Sequence, residues 1–252
     1  MIKLASIVAH LDQLLQVQSF QDYCPNGLQV EGRPEVGKVV TGVTASLALI
    51  EQAVDEKADA VLVHHGYFWR SESAPIVGAK RTRIKTLLEN DISLLAYHLP
   101  LDGHGEFGNN VQLANQLGIH VDGRFSTGGK IDIGFVGRPP QPMTASGFAA
   151  HIEKVLRRRP LVIGDQNSMI NQLAWCTGGA QHYLDRVLDL GVDAYISGEI
   201  SEQTVHTARE NGVVYFAAGH HATERYGVQA LGEHLVEHFG IAHTFIDIEN
   251  PV

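Results

Sequence analysis

The sequence predicts an α/β fold: two related α/β lobes from an internal duplication, with mostly parallel sheets flanked by helices. Three observations predict it. Short apolar runs alternate with stretches of helical periodicity, a strand-turn-helix-strand pattern occurs twice, and corresponding strands in the two copies end in the same kinds of polar side chain.

The opening stretch, "MIKLASIVAHLDQLLQ", has apolar residues at helical spacing. Its Asp and Gln interrupt any continuous apolar core, so it is read as an amphipathic helix rather than a leader. From Val39, "VVTGVTASLALIEQAVDEKADAVLVHHG" lies without a gap over "LAWCTGGAQHYLDRVLDLGVDAYISGEI" from Leu173. Each copy has a strand, a turn of small residues, a helix and a second strand. The helices place apolar residues at Ile50, Ala53 and Val54 and at Leu184, Val187 and Leu188, and Asp59-Ala60 falls on Asp193-Ala194. Further along, the segment from Ile92 lies over that from Val214, again without a gap, so that His98 falls on His220, Asp102 on Glu224 and Gly118 on Gly240. The first copy carries extra loop between them, Gly66 to Gly78.

Between the copies, from about His120 to Asn171, the chain contains "KIDIGFVGRPPQP", a helix predicted over about Ser146 to Arg158, and "PLVIGD". This segment reads as a connector layer, with turns at Gly128-Gly129 and Pro139-Pro140. A last strand is predicted in "HTFIDIE". With no low-complexity linker, residues 1–252 are expected to form a single two-lobed domain: lobe 1 about 1–119, connector about 120–171, lobe 2 about 172–252.

Composition narrows the function classes. The 252 residues are 44% hydrophobic, enough for a core, and no apolar run approaches the length of a membrane span. Cys24 and Cys176 have no paired spacing, which predicts neither a disulfide framework nor a thiolate metal site and suits a cytoplasmic protein. The formal charge of -9 gives no support for a broad nucleic-acid footprint. Fourteen histidines are the compositional oddity. Imidazole is both a metal ligand and the group that titrates near neutrality.

Their positions give that number a meaning. In open parallel sheets, ligands collect where strands end and loops begin. His64 and His65 follow "AVLV", His98 follows "SLLAY" and His220 follows "VYFAA". With Asp102 and Glu224 they make four imidazoles and two carboxylates. That is more nitrogen and oxygen donors than one tetrahedral ion needs, and it suits a pair of first-row divalent ions. Pro100 is expected to keep "HLPLD" out of a regular helix. His104 and Glu106 are candidates for a general acid or base on a solvated loop, Tyr67, Trp69 and Arg70 for a substrate wall or a subunit contact. Glu199, which matches His65, either lines the cleft or caps the next helix with Ser201. His182, His206, His234 and His238 are predicted on helices, with no assigned role.

"DYCPNGLQVEG", "LVHHGYFW", "YHLPLD…GNN" and "GHHATER" together resemble the motifs of the Ngg1-interacting-factor-like dinuclear metal proteins, widely labelled GTP cyclohydrolase 1 type 2 homologues. The resemblance covers essentially the whole chain and matches the short bacterial form. It implies metal ligation by His64, His65, Asp102, His220 and Glu224, with His98 at a further motif position. It also implies two divalent ions per chain, drawn from Zn, Fe, Mn, Ni or Mg, and a homohexameric toroid. The expected activity is that of a metal-dependent hydrolase acting on a nucleotide, in which two metals bring the pKa of a bound water from about 15.7 toward about 7. A two-metal phosphoesterase is the nearest alternative. A toroidal metal-binding scaffold that binds a partner or nucleic acid with little catalysis is the alternative of a different class.

Overall fold

The computed structural model describes residues 1–252. The chain starts with β1 (Ile2–Lys3) and α1 (Leu4–Leu14), followed by β2 (Gly27–Val30), β3 (Glu35–Val36) and β4 (Lys38–Thr44). Ser46 caps α2 (Leu47–Asp55) by accepting from the Leu49 N–H at 3.3 Å, and β5 (Ala60–His65), α3 (Gly78–Glu89) and β6 (Ser93–Ala96) follow. The short α4 (Leu99–Gly103) and α5 (Asn109–Leu117) lead to β7 (His120–Phe125) and β8 (Gly134–Arg138). Thr144 ends β9 (Met143–Thr144) and caps α6 (Ala145–Leu156), which is the helix predicted near Ser146. Next come β10 (Leu161–Ile163), β11 (Met169–Ile170), β12 (Leu173–Trp175) and α7 (Leu184–Val187). The last elements are β13 (Ala194–Ser197), α8 (Glu202–Asn211), β14 (Val214–Ala217), α9 (His220–Phe239) and β15 (Ala242–Phe245). No helix is long and apolar enough to cross a membrane.

The chain divides into two compact units. Unit 1 comprises Met1–Leu101 with Gly227–Glu249. Its sheet has the order β15-β4-β5-β6-β2, parallel except for β2. Val40, Val61, Val63, Leu94 and Ala96 on these strands pack with Leu49, Ile50 and Ala53 of α2 and Ile84 and Leu87 of α3. Such burial is why β5 is a continuous apolar run rather than an alternating one.

Unit 2 comprises Asp102–Tyr226 with Asn250–Val252. Its sheet runs β10-β14-β13-β12-β8-β7, with β12, β13 and β14 parallel and the remaining pairings antiparallel. Phe148, Ile152 and Leu156 of α6 pack on Trp175, Ile196 and Phe216 of this sheet together with Leu113 and Leu117 of α5. In both units three parallel strands come from the repeated segments, β4, β5 and β6 in unit 1 and β12, β13 and β14 in unit 2; β15, parallel to β4, and the antiparallel partners come from outside them. Residues from the segment expected as a connector layer supply β7, β8 and β10 to this sheet.

The repeat is visible in strand register. Val39 pairs with Ala60 in unit 1, and the matching Leu173 pairs with Ala194 in unit 2. Asp59 accepts from the Gly37 and Lys38 N–H groups at 2.7 and 3.0 Å, while Asp193 accepts from Asn171 and Gln172 at 2.8 and 3.0 Å. A carboxylate at the same strand start therefore ties down the same pair of neighbouring amides. The copies do not end alike, because α5 of the first packs in unit 2 and β15 of the second joins the sheet of unit 1. The lobe limits read from the repeat mark copies of sequence, whereas the units mark what packs together.

Two local expectations are corrected. Pro100 lies inside α4, where it takes part in the first turn, because its missing N–H would have no helical acceptor there. The second aligned block also does not stay in step throughout. Ala96 pairs with Val63 and Ala217 with Ser197, which puts His98 two residues past its strand and His220 three past its own. The extra residue is taken up before His220, where Gly219 has φ +103°, a conformation that favours glycine.

Candidate metal centre

In unit 1, three of the predicted residues come together. His64 and His65 end β5, and His98 follows β6, the strand hydrogen-bonded beside it. Ring centroids lie 4.5 Å apart for His64 and His65, 5.0 Å for His64 and His98, and 5.8 Å for His65 and His98. One nitrogen from each ring lies within 4.8 Å of the others. His64 is fully buried, and its Nδ1 is 2.9 Å from the Tyr97 carbonyl oxygen. A carbonyl only accepts, so Nδ1 carries a proton and donates to it. The Nδ1 of His65 lies 3.2 Å from the Thr44 hydroxyl.

His98 is held more strongly. Its Nδ1–H donates to Asp22 at 2.7 Å, and the other Asp22 oxygen accepts from Asn26 Nδ2 and the Leu99 N–H, each at 2.9 Å. Asn26 in turn accepts from the His98 backbone N–H at 2.7 Å. Burial works against the Asp22 carboxylate, but the hydrogen bond and charge of His98, then Asn26 and Leu99, bring it down to about 2. The Trp69 ring stands edge-on to His98 at 4.9 Å, and its indole N–H donates to the Gly66 carbonyl at 3.1 Å. Tyr67 is a core residue rather than a substrate wall: it is buried, with its hydroxyl donating to Ala45 O at 2.8 Å.

Unit 2 assembles the acids. Asp102, in α4, is buried and accepts from Asn109 Nδ2 at 2.9 Å and the Thr177 hydroxyl at 3.4 Å. His220 and Glu224 are four apart in the first turns of α9 rather than on a loop, which puts both on one helix face, with Nε2 and Oε2 3.1 Å apart. Glu199 accepts from His220 Nδ1 at 2.7 Å, while Ser201 alone caps α8 by accepting from the Thr204 N–H. Burial opposes the charged form of His220, but Glu224 and then Glu199 outweigh it and raise its pKa to about 9. A Cβ at Gly178, itself at φ +68°, would collide with the Glu224 carboxylate, so the chain passes close over this pair only as glycine. Cys176 is buried near Asp102 and Glu224; desolvation and both charges push its thiol well up, which keeps it out of thiolate chemistry.

The donor set fits divalent cations. His98 and His220 each present Nε2 with Nδ1 fixed by a carboxylate, the orientation that metal-bound imidazoles show. His220 and Glu224 already share a proton, and a pair that shares a proton can share a cation in its place. The roles of Asp22, Asn26 and Glu199 are not visible in spacing, since their partners lie far along the chain; the acid within the "DYCPNG" motif was the available hint. His104, by contrast, uses Nδ1 to accept from the Glu106 and Phe107 N–H groups at 3.2 and 3.0 Å and shapes its own turn.

The model of Duf34/NIF3 (NGG1p interacting factor 3) matches residues 2–251. The chain belongs to this family. Among its relatives, a protein of Pseudomonas aeruginosa named GTP cyclohydrolase 1 type 2 homolog is 58% identical over 99% of both chains. One of the same name from Vibrio cholerae is 55% identical over 97% of each. Among solved structures, a structural-genomics protein called ybgI, described as of unknown function, superposes on this NIF3-family chain with a TM-score of 0.96 at 50% identity over the full length of both. TTHA1606 from Thermus thermophilus gives 0.88 at 33% identity, also over the full length of both.

Proposed function

We propose that this NIF3-family protein binds a pair of divalent metal ions through His64, His65, Asp102, His220 and Glu224, with His98, and uses them to hydrolyse a nucleotide. The observation that carries this is the repeated fixing of Nδ1: a carbonyl holds it at His64 and carboxylates hold it at His98 and His220, which orients each Nε2. Imidazole nitrogens and carboxylates are the mixed donors that first-row divalent ions accept. When bound, such a pair supplies an activated water and neutralises charge growing on the attacked group.

The substrate class rests on the relatives' name, GTP cyclohydrolase 1 type 2 homolog. On this proposal water adds at the imidazole carbon of the guanine ring and one carbon–nitrogen bond breaks, leaving a formylated amine with no other product. The Trp69 ring, edge-on to His98, offers that imidazole an apolar neighbour. The resemblance further supports a cytoplasmic homohexamer. The test is to incubate the metal-reconstituted protein with GTP, using Asp102→Ala as the blank. A formylated, ring-opened nucleotide supports the proposal. Release of inorganic phosphate favours the phosphoesterase alternative, and no turnover with full metal occupancy removes the enzyme in favour of a metal-binding scaffold.

A further inference from the structure

Three histidines outside this centre gather within unit 1. His10 lies on α1, and His234 and His238 lie four apart on α9, so the latter two share a helix face. His10 Nε2 is 2.7 Å from His234 Nε2. The His10 ring stacks on His238 at 4.0 Å and lies 5.1 Å from the His234 ring. Phe239 stands edge-on to both His10 and His238, at 5.3 and 4.6 Å. One ring nitrogen from each histidine lies within 4.8 Å of the others, with His10 and His234 half-buried and His238 exposed.

We propose that His10, His234 and His238 form a second metal site, which takes one borderline divalent ion such as Zn²⁺, Ni²⁺ or Cu²⁺ on three imidazole nitrogens. A histidine pair at i, i+4 completed by a third from another helix gives three nitrogens converging from one side. The exposed His238 leaves the remaining coordination positions to solvent. Metal–nitrogen bonds of about 2.0–2.1 Å set tetrahedral nitrogens about 3.3 Å apart. The His10–His234 contact must open by roughly half an ångström, and the wider pairs must close, both within reach of ring rotation. Imidazole suits Zn, Cu and Ni, whereas Mg and Mn favour oxygen ligands, and these three side chains supply none. The cluster also favours the form of histidine that binds metal. Burial first, then the His238 and His234 charges, pull His10 below the ordinary imidazole range. This site does not depend on the centre proposed above.

The test counts ions bound to metal-stripped full-length protein after Ni²⁺ titration and gel filtration, for the wild type, His10→Gln and His238→Gln. Each variant is expected to bind one Ni²⁺ per chain fewer than the wild type, while Mn²⁺ counts stay equal in all three. The EPR spectrum of Cu²⁺-loaded wild type should contain an additional component with nitrogen splittings, about one spin per chain, that both variants lack. Should His10→Gln fail to fold, His238→Gln decides, since its position is exposed. Equal Ni²⁺ counts in the wild type and His238→Gln overturn the proposal, as does loss of Mn²⁺ in that variant.

Discussion

Unit 1 and unit 2 share a repeated strand-helix pattern, yet the candidate ligands they carry differ in chemistry. Unit 1 offers three imidazoles, His64, His65 and His98, with Asp22 behind one of them. Unit 2 offers two buried acids, Asp102 and Glu224, and one imidazole, with Glu199 behind it. The divergence has a steric cause at one position. His64 corresponds to Gly198, where an added Cβ would lie 2.6 Å from His220 Cα and 2.7 Å from the Gly178 carbonyl oxygen. The start of α9 therefore leaves no space for a second-copy histidine. His65 corresponds to Glu199, which accepts from His220 Nδ1 and so holds a nitrogen where its counterpart carries one. The repeat matches strand ends in sequence, while packing gathers imidazoles in one unit and carboxylate charge in the other.

The largest effect should come from removing that charge. Asp102→Ala and Glu224→Ala are expected to lose bound metal by elemental analysis while keeping the far-ultraviolet circular dichroism of the wild type. Full occupancy in both would break the comparison. Asp22→Asn and Glu199→Gln sharpen it, because each weakens only the support of one imidazole. About 10–100-fold weaker metal affinity is expected for each, measured by competition with a chelator. Similar losses in the two variants would show that the same device works in both units despite its different origin in the chain.

The pH dependence should separate them further. His220 sits at about 9 in the folded, metal-free protein, above its unfolded value near 6.5. Its stabilising contribution is full below about 6.5 and is lost as pH rises through about 9. Metal binding must remove that proton, so affinity should climb over the same interval. Asp22 runs the other way, contributing above its unfolded value near 3.9 and losing that contribution as pH falls to about 2. Thermal melts of the metal-free protein against pH should show the upper transition flattened in Glu199→Gln and the lower one in Asp22→Asn. The smallest effect is expected away from the centre: Ser201→Ala should cost about 1 kcal/mol of stability through the lost cap of α8 and leave metal content unchanged.

The strand ends were legible because β5 is a buried apolar run that stops at two histidines, a pattern packing does not require. The pairing of His98 with His220 and of Asp102 with Glu224 was legible because the chain repeats. What the repeat could not reveal is set by contacts between distant residues. Asp22 meets His98 across 76 positions and Glu199 meets His220 across 21, with no periodicity to announce either. The single extra residue before His220 left the alignment apparently gapless because His98 and His220 themselves stayed matched. Pro100 misled in a different way, since a proline stops a helix only from its interior, and here it opens one. The exchange of α5 and β15 between the copies' units likewise follows from tertiary packing, which hydrophobic phasing within each copy does not encode.

The most direct test is to titrate Mn²⁺ into metal-stripped full-length protein and read both stoichiometry and EPR. Mn²⁺ suits the mixed imidazole and carboxylate set and is a poor match for an all-imidazole cluster. The expected result is two ions per chain with an exchange-coupled signal that Glu224→Ala abolishes. A spectrum of isolated ions only, or one unchanged by that substitution, would contradict a shared pair.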